Sequence, residues 1–325
     1  MHHSIATDEA GYGPNLGPLA IGATRWTFED PKTDPRNLLS EFVFDQKSEL
    51  NRFEKETNAQ GLMIADSKAV YTSGKIELLE RGVLASLFAI HGRVPTTVGE
   101  ILEMLSVESS SLQRDKYFKC DKLGLPMACD AKIVESLGGK LADTLSASSC
   151  SLQELSVALV FPKQFNLGIE THGNKASCLT AESLSLIADL MSRSNATEKD
   201  LFDIRCDKHG GRNRYAAAIA EHFNDSSVTI EEESRPQSSY RFHEGRASIK
   251  FTAKGESWLP IALASMCAKY LREIFMLRWN RYWIEHLPHL KPTKGYPLDA
   301  KRFKKDIAPV QKRIGIPDED IWRVR

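Results

Sequence analysis

The sequence predicts an α/β fold, a central sheet flanked by helices, and three stretches predict it. In the first, Leu155 to Phe161 (LSVALVF) reads as a strand closed by Pro162. Leu184, Ile187, Leu190 and Met191 then share one helical face between about Thr180 and Ser192. LFDIRCD follows, alternating Phe202, Ile204 and Cys206 up to Asp207. Strand, helix and strand at this spacing form a βαβ unit. In the second stretch, Ile249 and Phe251 belong to a strand, AKGES is a turn, and a long helix starts around Pro260, since proline is well tolerated at the first helical position. The third is IATDEAGYGPNLGPLAIGA, residues 5 to 23: a short strand end at Ile5 to Asp8, a Gly/Pro turn, and a second strand from Leu19 to Trp26.

The remaining elements follow in chain order. Glu29 to Gly61, with Pro31, Pro35 and many charges, reads as an insertion or a mobile loop. MIADSK ends a short apolar run. Ile76, Leu79, Val83, Leu84 and Leu87 recur at helical spacing within Lys75 to Ile90. Between Arg93 and Ser151 the pattern weakens to one amphipathic helix near Val98 to Leu105, a serine run and the stretch LGGK; a small subdomain and an extended insertion both fit. A Gly/Asn loop is expected after Pro162. In the last long helix, Leu263, Cys267, Tyr270, Leu271, Ile274 and Leu277 form a stripe expected to be buried. The small residues Ala262, Ala264, Ser265 and Ala268 would let that helix pack closely on a sheet. The expected division is a catalytic core over 1–245, with insertions at about 29–61 and 93–151, followed by 246–325 as last core strand, core helix and basic C-terminal extension.

Composition is that of an ordinary soluble protein. The apolar stretches fall far short of a membrane span, and MHHSIATDEAG lacks the basic-then-apolar pattern of a signal peptide, so a cytoplasmic monomer with no membrane partner is expected. Six scattered cysteines without a C-x-x-C pair favour reduced thiols over a zinc site or a disulfide frame. The formal charge is zero, yet residues 246–325 hold 17 Lys and Arg against 8 acids. Trp258, Tyr270, Trp279, Tyr282, Trp283, Tyr296, Phe303 and Trp322 are interleaved with these charges. A solvated helical surface and a face for a phosphate backbone both fit that pattern.

Four acids share one local setting. Asp8, Glu9 and Asp207 stand at strand ends beside glycine-containing turns, and Glu256 lies in the turn before the long helix, where an acid also complements the helix dipole. Converging carboxylates repel one another and are tolerable with hard cations between them. Two Mg2+ ions roughly 4 Å apart can activate a water and stabilise the leaving oxygen of a phosphodiester. Lys208, Arg212 and Arg214 are candidate phosphate contacts. His209 is expected to be a solvent-exposed loop residue, with a proton shuttle to the leaving group as the alternative.

These residues resemble a known family. DEAGYGPNLGP is similar to the DEAG-R-G-P-x-x-GP signature of type 2 ribonuclease H, that is, ribonuclease HII and the catalytic subunit of the eukaryotic enzyme. ADSK at Ala65 to Lys68 resembles the family's DSK stretch, and Asp207 stands where the third acid is carried. KGESWLPIALASMCAKYLRE resembles the block with the fourth acid, here Glu256, and the AK pair, here Ala268 and Lys269. KGYPLDAKRF resembles the GSGYPSDP segment and places Tyr296 at its tyrosine, and DIWRVR resembles the final WR segment. The matches come in order and reach both ends of the chain. They leave Glu29 to Gly61 and about Arg93 to Ser151 uncovered.

The resemblance implies a ribonuclease H-like mixed central sheet with a C-terminal helical extension and a large insertion. It implies a metal-dependent endoribonuclease that cuts the RNA strand of RNA/DNA hybrids, or ribonucleotides embedded in duplex DNA. Two divalent ions, Mg2+ or Mn2+, would be held by Asp8, Glu9, Asp207 and Glu256. Gly11, Tyr12 and Gly13 would form the 2′-hydroxyl sensor, Tyr296 would pack on the same sugar, and Lys269 would meet the scissile region or an acid. Three departures stand out: Tyr12 where the family has a basic residue, Glu256 where it has Asp, and a longer interval from Asp66 to Asp207. A hybrid- or duplex-binding protein that does not cut, and a DNA or structure-specific nuclease on the same fold, are the alternatives.

Overall fold

A computed structural model describes residues 1–72, 74–107 and 116–324. The serine run that follows Val107 lies outside the described residues. At the centre is a seven-stranded mixed sheet in the order β5-β2-β1-β6-β9-β8-β7. The strands are β1 (His2–Ala10), β2 (Leu19–Phe28), β5 (Cys150–Val160), β6 (Leu201–Asp207), β7 (Thr229–Glu233), β8 (Gln237–Phe242) and β9 (Ala247–Thr252). The short strands β3 (Val43–Phe44) and β4 (Leu62–Met63) pair with each other. β1 runs antiparallel to β2 and parallel to β6, and β6 runs parallel to β9. The expected short strand end at Ile5 to Asp8 is in fact a nine-residue strand. Strand residues such as His3, Ser4 and Thr7 are buried there, which hides the alternation.

The first βαβ unit spans β5 to β6, two strands apart in the sheet. Its connection holds one helix more than expected. Pro162 starts α7 (Pro162–His172) where a loop was expected, and α8 (Lys175–Ser192) follows after a left-handed Gly173. Upstream lie α1 (Pro35–Leu38), α2 (Lys47–Thr57), α3 (Ser67–Val70), α4 (Glu77–His91), α5 (Val98–Met104) and α6 (Ala131–Ser146). Downstream lie α9 (Ala216–His222), α10 (Leu259–His286), α11 (Pro297–Ile314) and α12 (Asp318–Ile321). The stretch 29–61 is therefore not a bare loop. Arg81 of α4 ties it down through Glu54 at 2.7 Å and the Gly61 carbonyl at 3.3 Å. LGGK lies inside α6, where Gly138 meets α4 so closely that a Cβ would stand 2.6 Å from that of Phe88.

One apolar core lies on each face of the sheet. On one side Ile5, Ile21, Ile204, Ile249 and Phe251 pack against Leu179, Leu184, Ile187 and Leu190 of α8. On the other side Ala20, Trp26, Leu155 and Val157 pack with α10, α4 and α6. α10 rides close on β2, where the Thr24 hydroxyl donates to the Pro260 carbonyl at 3.1 Å, as the small residues of its first turns permit. Of its expected stripe, Leu277 points outward and is 52% exposed. Most of the aromatics interleaved with basic residues belong to the core. Tyr270, Trp279, Trp283 and Phe303 are buried, Trp258, Tyr282 and Trp322 are half-buried, and Tyr296 is exposed. Among the described residues no helix is long and apolar enough to cross a membrane.

Candidate active site

The parallel pairing of β1 with β6 builds the site. Thr7 and Cys206 are the last pair between these strands, so the next residue on each, Asp8 and Asp207, stands at the same level just beyond it. Glu9 follows on β1. One carboxylate oxygen from each of Asp8, Glu9 and Asp207 lies within 4.8 Å of the others. Asp207 pairs with Thr252 of β9, and the chain then turns through Gly255–Ser257, whose Gly255 amide donates to the Asp207 carboxylate at 3.0 Å. Glu256 sits in that turn, half-buried and outside the group of three, near enough for its charge to act on Asp8 and Glu9.

All four acids resist ionisation. Burial holds the Asp8 carboxyl well above the usual range, and the charge of Glu9 adds to it, while the Ser265 hydroxyl of α10 hydrogen-bonds the group and pulls the other way. Glu9 is pushed up to about 7 by burial and then by Asp207. Burial likewise raises Asp207 and Glu256. Among the described residues the cation that acts on them is Lys68 of the DSK stretch, whose charge lowers Glu9, Asp207 and Glu256. Four carboxyls against one lysine leave an excess of negative charge that a divalent cation would relieve. The donor set is all oxygen, which suits Mg2+ or Mn2+.

The neighbouring loop carries Gly11, Tyr12 and Gly13. Gly11 has φ +90°, and a Cβ there would strike the Arg272 side chain and the Pro18 carbonyl. Tyr12 is half-buried against Gly210, where a Cβ would approach its hydroxyl to 3.3 Å, and Gly13 is open to solvent. Tyr296, 53% exposed, precedes α11. The residue before it reaches the glycine loop, because the Gly295 carbonyl accepts from the Asn15 amide at 2.8 Å.

Other expected residues lie elsewhere. Lys269 is paired with Glu273 at 2.6 Å, meeting an acid on its own helix. Lys208 is buried, its ammonium donating to Asn213, to the Ser234 carbonyl and to Ser238. Arg212 donates to the Arg214 carbonyl, Ser177 and Thr180. Arg214 is solvent-exposed. His209 is not a solvent-exposed loop residue: it is 2% exposed, Nδ1 lies 3.0 Å from the Thr180 hydroxyl, and burial lowers its pKa to about 3. A neutral, packed imidazole there rules out the exposed-loop expectation.

The sequence reading gave no role to Lys68, Ser265, Arg272 or Arg323. All four lie within the matched stretches, Lys68 in ADSK, Ser265 and Arg272 in KGESWLPIALASMCAKYLRE, and Arg323 in DIWRVR.

No protein-family model and no curated protein matches the chain. Among solved structures it is similar to the ribonuclease H2 from Pyrococcus horikoshii OT3, with 17% identity and a TM-score of 0.41 over 98% of this chain and 92% of that one. It is similar to the RNase HII of Archaeoglobus fulgidus, solved in complex with PCNA, with 14% identity and a TM-score of 0.41 over 100% and 94% of the two chains. A third is Bst-RNase HIII in complex with Mn2+, with 11% identity and a TM-score of 0.40 over 99% of this chain and 66% of that one. The three are named as a ribonuclease H2, an RNase HII and an RNase HIII.

Proposed function

We propose that this chain is a metal-dependent endoribonuclease that hydrolyses the RNA strand of RNA/DNA hybrids, or ribonucleotides embedded in DNA. The observation that carries this reading is the convergence of Asp8, Glu9 and Asp207 within 4.8 Å at two adjacent strand ends. The ordered sequence motifs support it, because the DEAG and KGYP stretches, nearly the whole chain apart, meet through the bond from Asn15 to Gly295.

Asp8, Glu9 and Asp207, with Glu256 beside them, would hold the divalent ions. When bound, these supply an activated water and charge stabilisation of the leaving oxygen. The chain's own residues do the rest. The Glu9 and Gly255 amides, donating to the carboxylates of Asp8 and Asp207, hold them in place. Exposed Tyr296 and the open backbone at Gly13 offer a face for a sugar, and the 2′-hydroxyl is what distinguishes RNA from DNA.

The test uses labelled duplexes containing one ribonucleotide, four, all RNA in one strand, or none, with Mg2+ or Mn2+. Cleavage confined to ribose-containing strands and lost in Asp8→Asn and Asp207→Asn is expected. Binding without cutting under either metal would overturn it, and equal cutting of the all-DNA duplex would favour a nuclease of other preference.

A further inference from the structure

Arg323, two residues before the last position of the chain, is fully buried without a carboxylate partner among the described residues. Its guanidinium donates to the Gly11 carbonyl at 2.5 Å and to the Pro14 carbonyl, and its plane lies 4.7 Å over the Phe165 ring. Nε and Nη1 find no acceptor, and burial with Arg272 nearby lowers its pKa to about 9, still cationic at neutral pH. Its backbone is sewn to the same loop: the Arg323 amide donates to the Asn15 carbonyl at 2.8 Å, and the Asn15 side-chain amide donates to the Arg323 carbonyl at 3.0 Å. Asn166 of α7 holds the residues on either side, donating to the Trp322 carbonyl and accepting from the Val324 amide.

A buried cation without a counter-charge is costly, and an apolar side chain of similar volume would fill the space at lower cost. What the guanidinium adds is one terminal nitrogen, Nη2, whose two hydrogens grip two carbonyls three residues apart. The consequence follows from peptide geometry, since in a trans peptide the C=O and N–H point in opposite directions. With the Gly11 carbonyl turned onto Arg323, the Tyr12 amide of the same peptide is turned away from it, and among the described residues that amide has no acceptor. With the Pro14 carbonyl turned onto Arg323, the Asn15 amide points to Gly295, next to Tyr296.

We propose that Arg323 is a positioning residue for ribose recognition: it clamps the Gly11 to Asn15 backbone from beneath, aims the Tyr12 amide at the sugar and sets its spacing to Tyr296. The proposal rests on the functional reading above for the sugar; the clamp itself does not.

Two measurements on the full chain separate these. Hydrogen-exchange mass spectrometry of the unliganded protein reads the clamp. Arg323→Ala should speed exchange of the Asn15 and Leu16 amides about tenfold, the effect of losing one hydrogen bond of ~1.4 kcal/mol, with β1, β2 and α10 unchanged. Arg323→Lys should fall between the two. Should Arg323→Ala lose the fold, Arg323→Met, which keeps much of the apolar stem but no donor, is read in the same way. Wild-type exchange in every folded variant overturns the clamp. The second measurement is kcat on the one-ribonucleotide duplex, with affinity for the all-DNA duplex as the control. In the variant kcat should drop about tenfold, with KM for the ribose-containing duplex and affinity for the all-DNA duplex nearly unchanged. An unchanged kcat alongside loosened exchange overturns the role in recognition, whereas absent wild-type cleavage sinks the functional reading and leaves the clamp judged by exchange alone.

Discussion

Glu9 binds its proton more tightly in the fold than in the unfolded chain, since its carboxyl is raised from the model-peptide value of 4.5 to about 7 by burial and by Asp207. The sign follows from linkage. Below about 4.5 both states are protonated and Glu9 adds no penalty. Between about 4.5 and 7 the unfolded chain gives up its proton first, so folding loses up to about 1.4 kcal/mol per pH unit from this group. Asp8 and Asp207 act in the same direction. In chelator-treated protein, stability should therefore fall as pH rises from 5 to 8, and Glu9→Gln should flatten that fall and be the more stable form at pH 8. Millimolar Mg2+ or Mn2+ should raise the wild-type Tm at pH 8 and leave that of an Asp8→Asn, Glu9→Gln double variant unmoved. Thermal denaturation with and without metal decides it; equal pH slopes in wild type and Glu9→Gln would discount the acid cluster as a source of strain.

At the scale of elements, the segment between α5 and β5 is anchored by one buried acid. Glu80 of α4 is fully buried and accepts from the amides of Met127 (2.7 Å), Ala128 (2.7 Å) and Cys129 (3.0 Å) and from the Tyr270 hydroxyl of α10 (2.7 Å). Glu80→Ala strands those donors and should cost about 3–5 kcal/mol, whereas Tyr270→Phe removes one bond and should cost about 1 kcal/mol. Urea unfolding checks both, and similar losses would mean that the three amide bonds to Glu80 add little to the anchor. This anchor explains why residues 93–151 read poorly. A non-local carboxylate supplies the order that periodicity would otherwise signal, and the glycines of LGGK hide α6 because Gly138 is needed for contact with Phe88. β7 was missed for a different reason: TIEEE is exposed along its whole length and carries no alternation. α8 and β6 were legible because each buries one regular face, and β5 and α10 because each carries a long apolar run. Of the site, the acids were legible as motifs. Arg272 and Arg323 lie inside matched stretches, but their roles were not legible, because the backbone carbonyls that hold them are far away in sequence.

Over the whole molecule the formal charge is zero, and only its distribution can favour a polyanion. α11 concentrates it. Phe303, Ile307 and Val310 face the core, while Lys301, Lys305 and Lys312, at i, i+4 and i+11, form one exposed stripe that starts a turn beyond Tyr296. Arg302 and Lys304 are already committed to acids, through Asp299 and Asp306 for the first and Asp318 for the second. The three stripe lysines have no ion pair among the described residues, so a phosphate backbone would meet cations free of competing carboxylates. Each phosphate neutralised on a duplex contributes about −0.9 to the slope of log K against log salt. Lys301→Gln, Lys305→Gln and Lys312→Gln combined should thus reduce the magnitude of that slope by about 2 to 3 and weaken one-ribonucleotide and all-DNA duplexes alike. Ribose preference should survive, because the stripe reads charge and the glycine loop reads the sugar. Titration of a fluorescent duplex at several salt concentrations measures the slope. An unchanged slope would place the stripe on a face that substrate does not touch, and a loss confined to the ribose-containing duplex would assign it to recognition instead of steering.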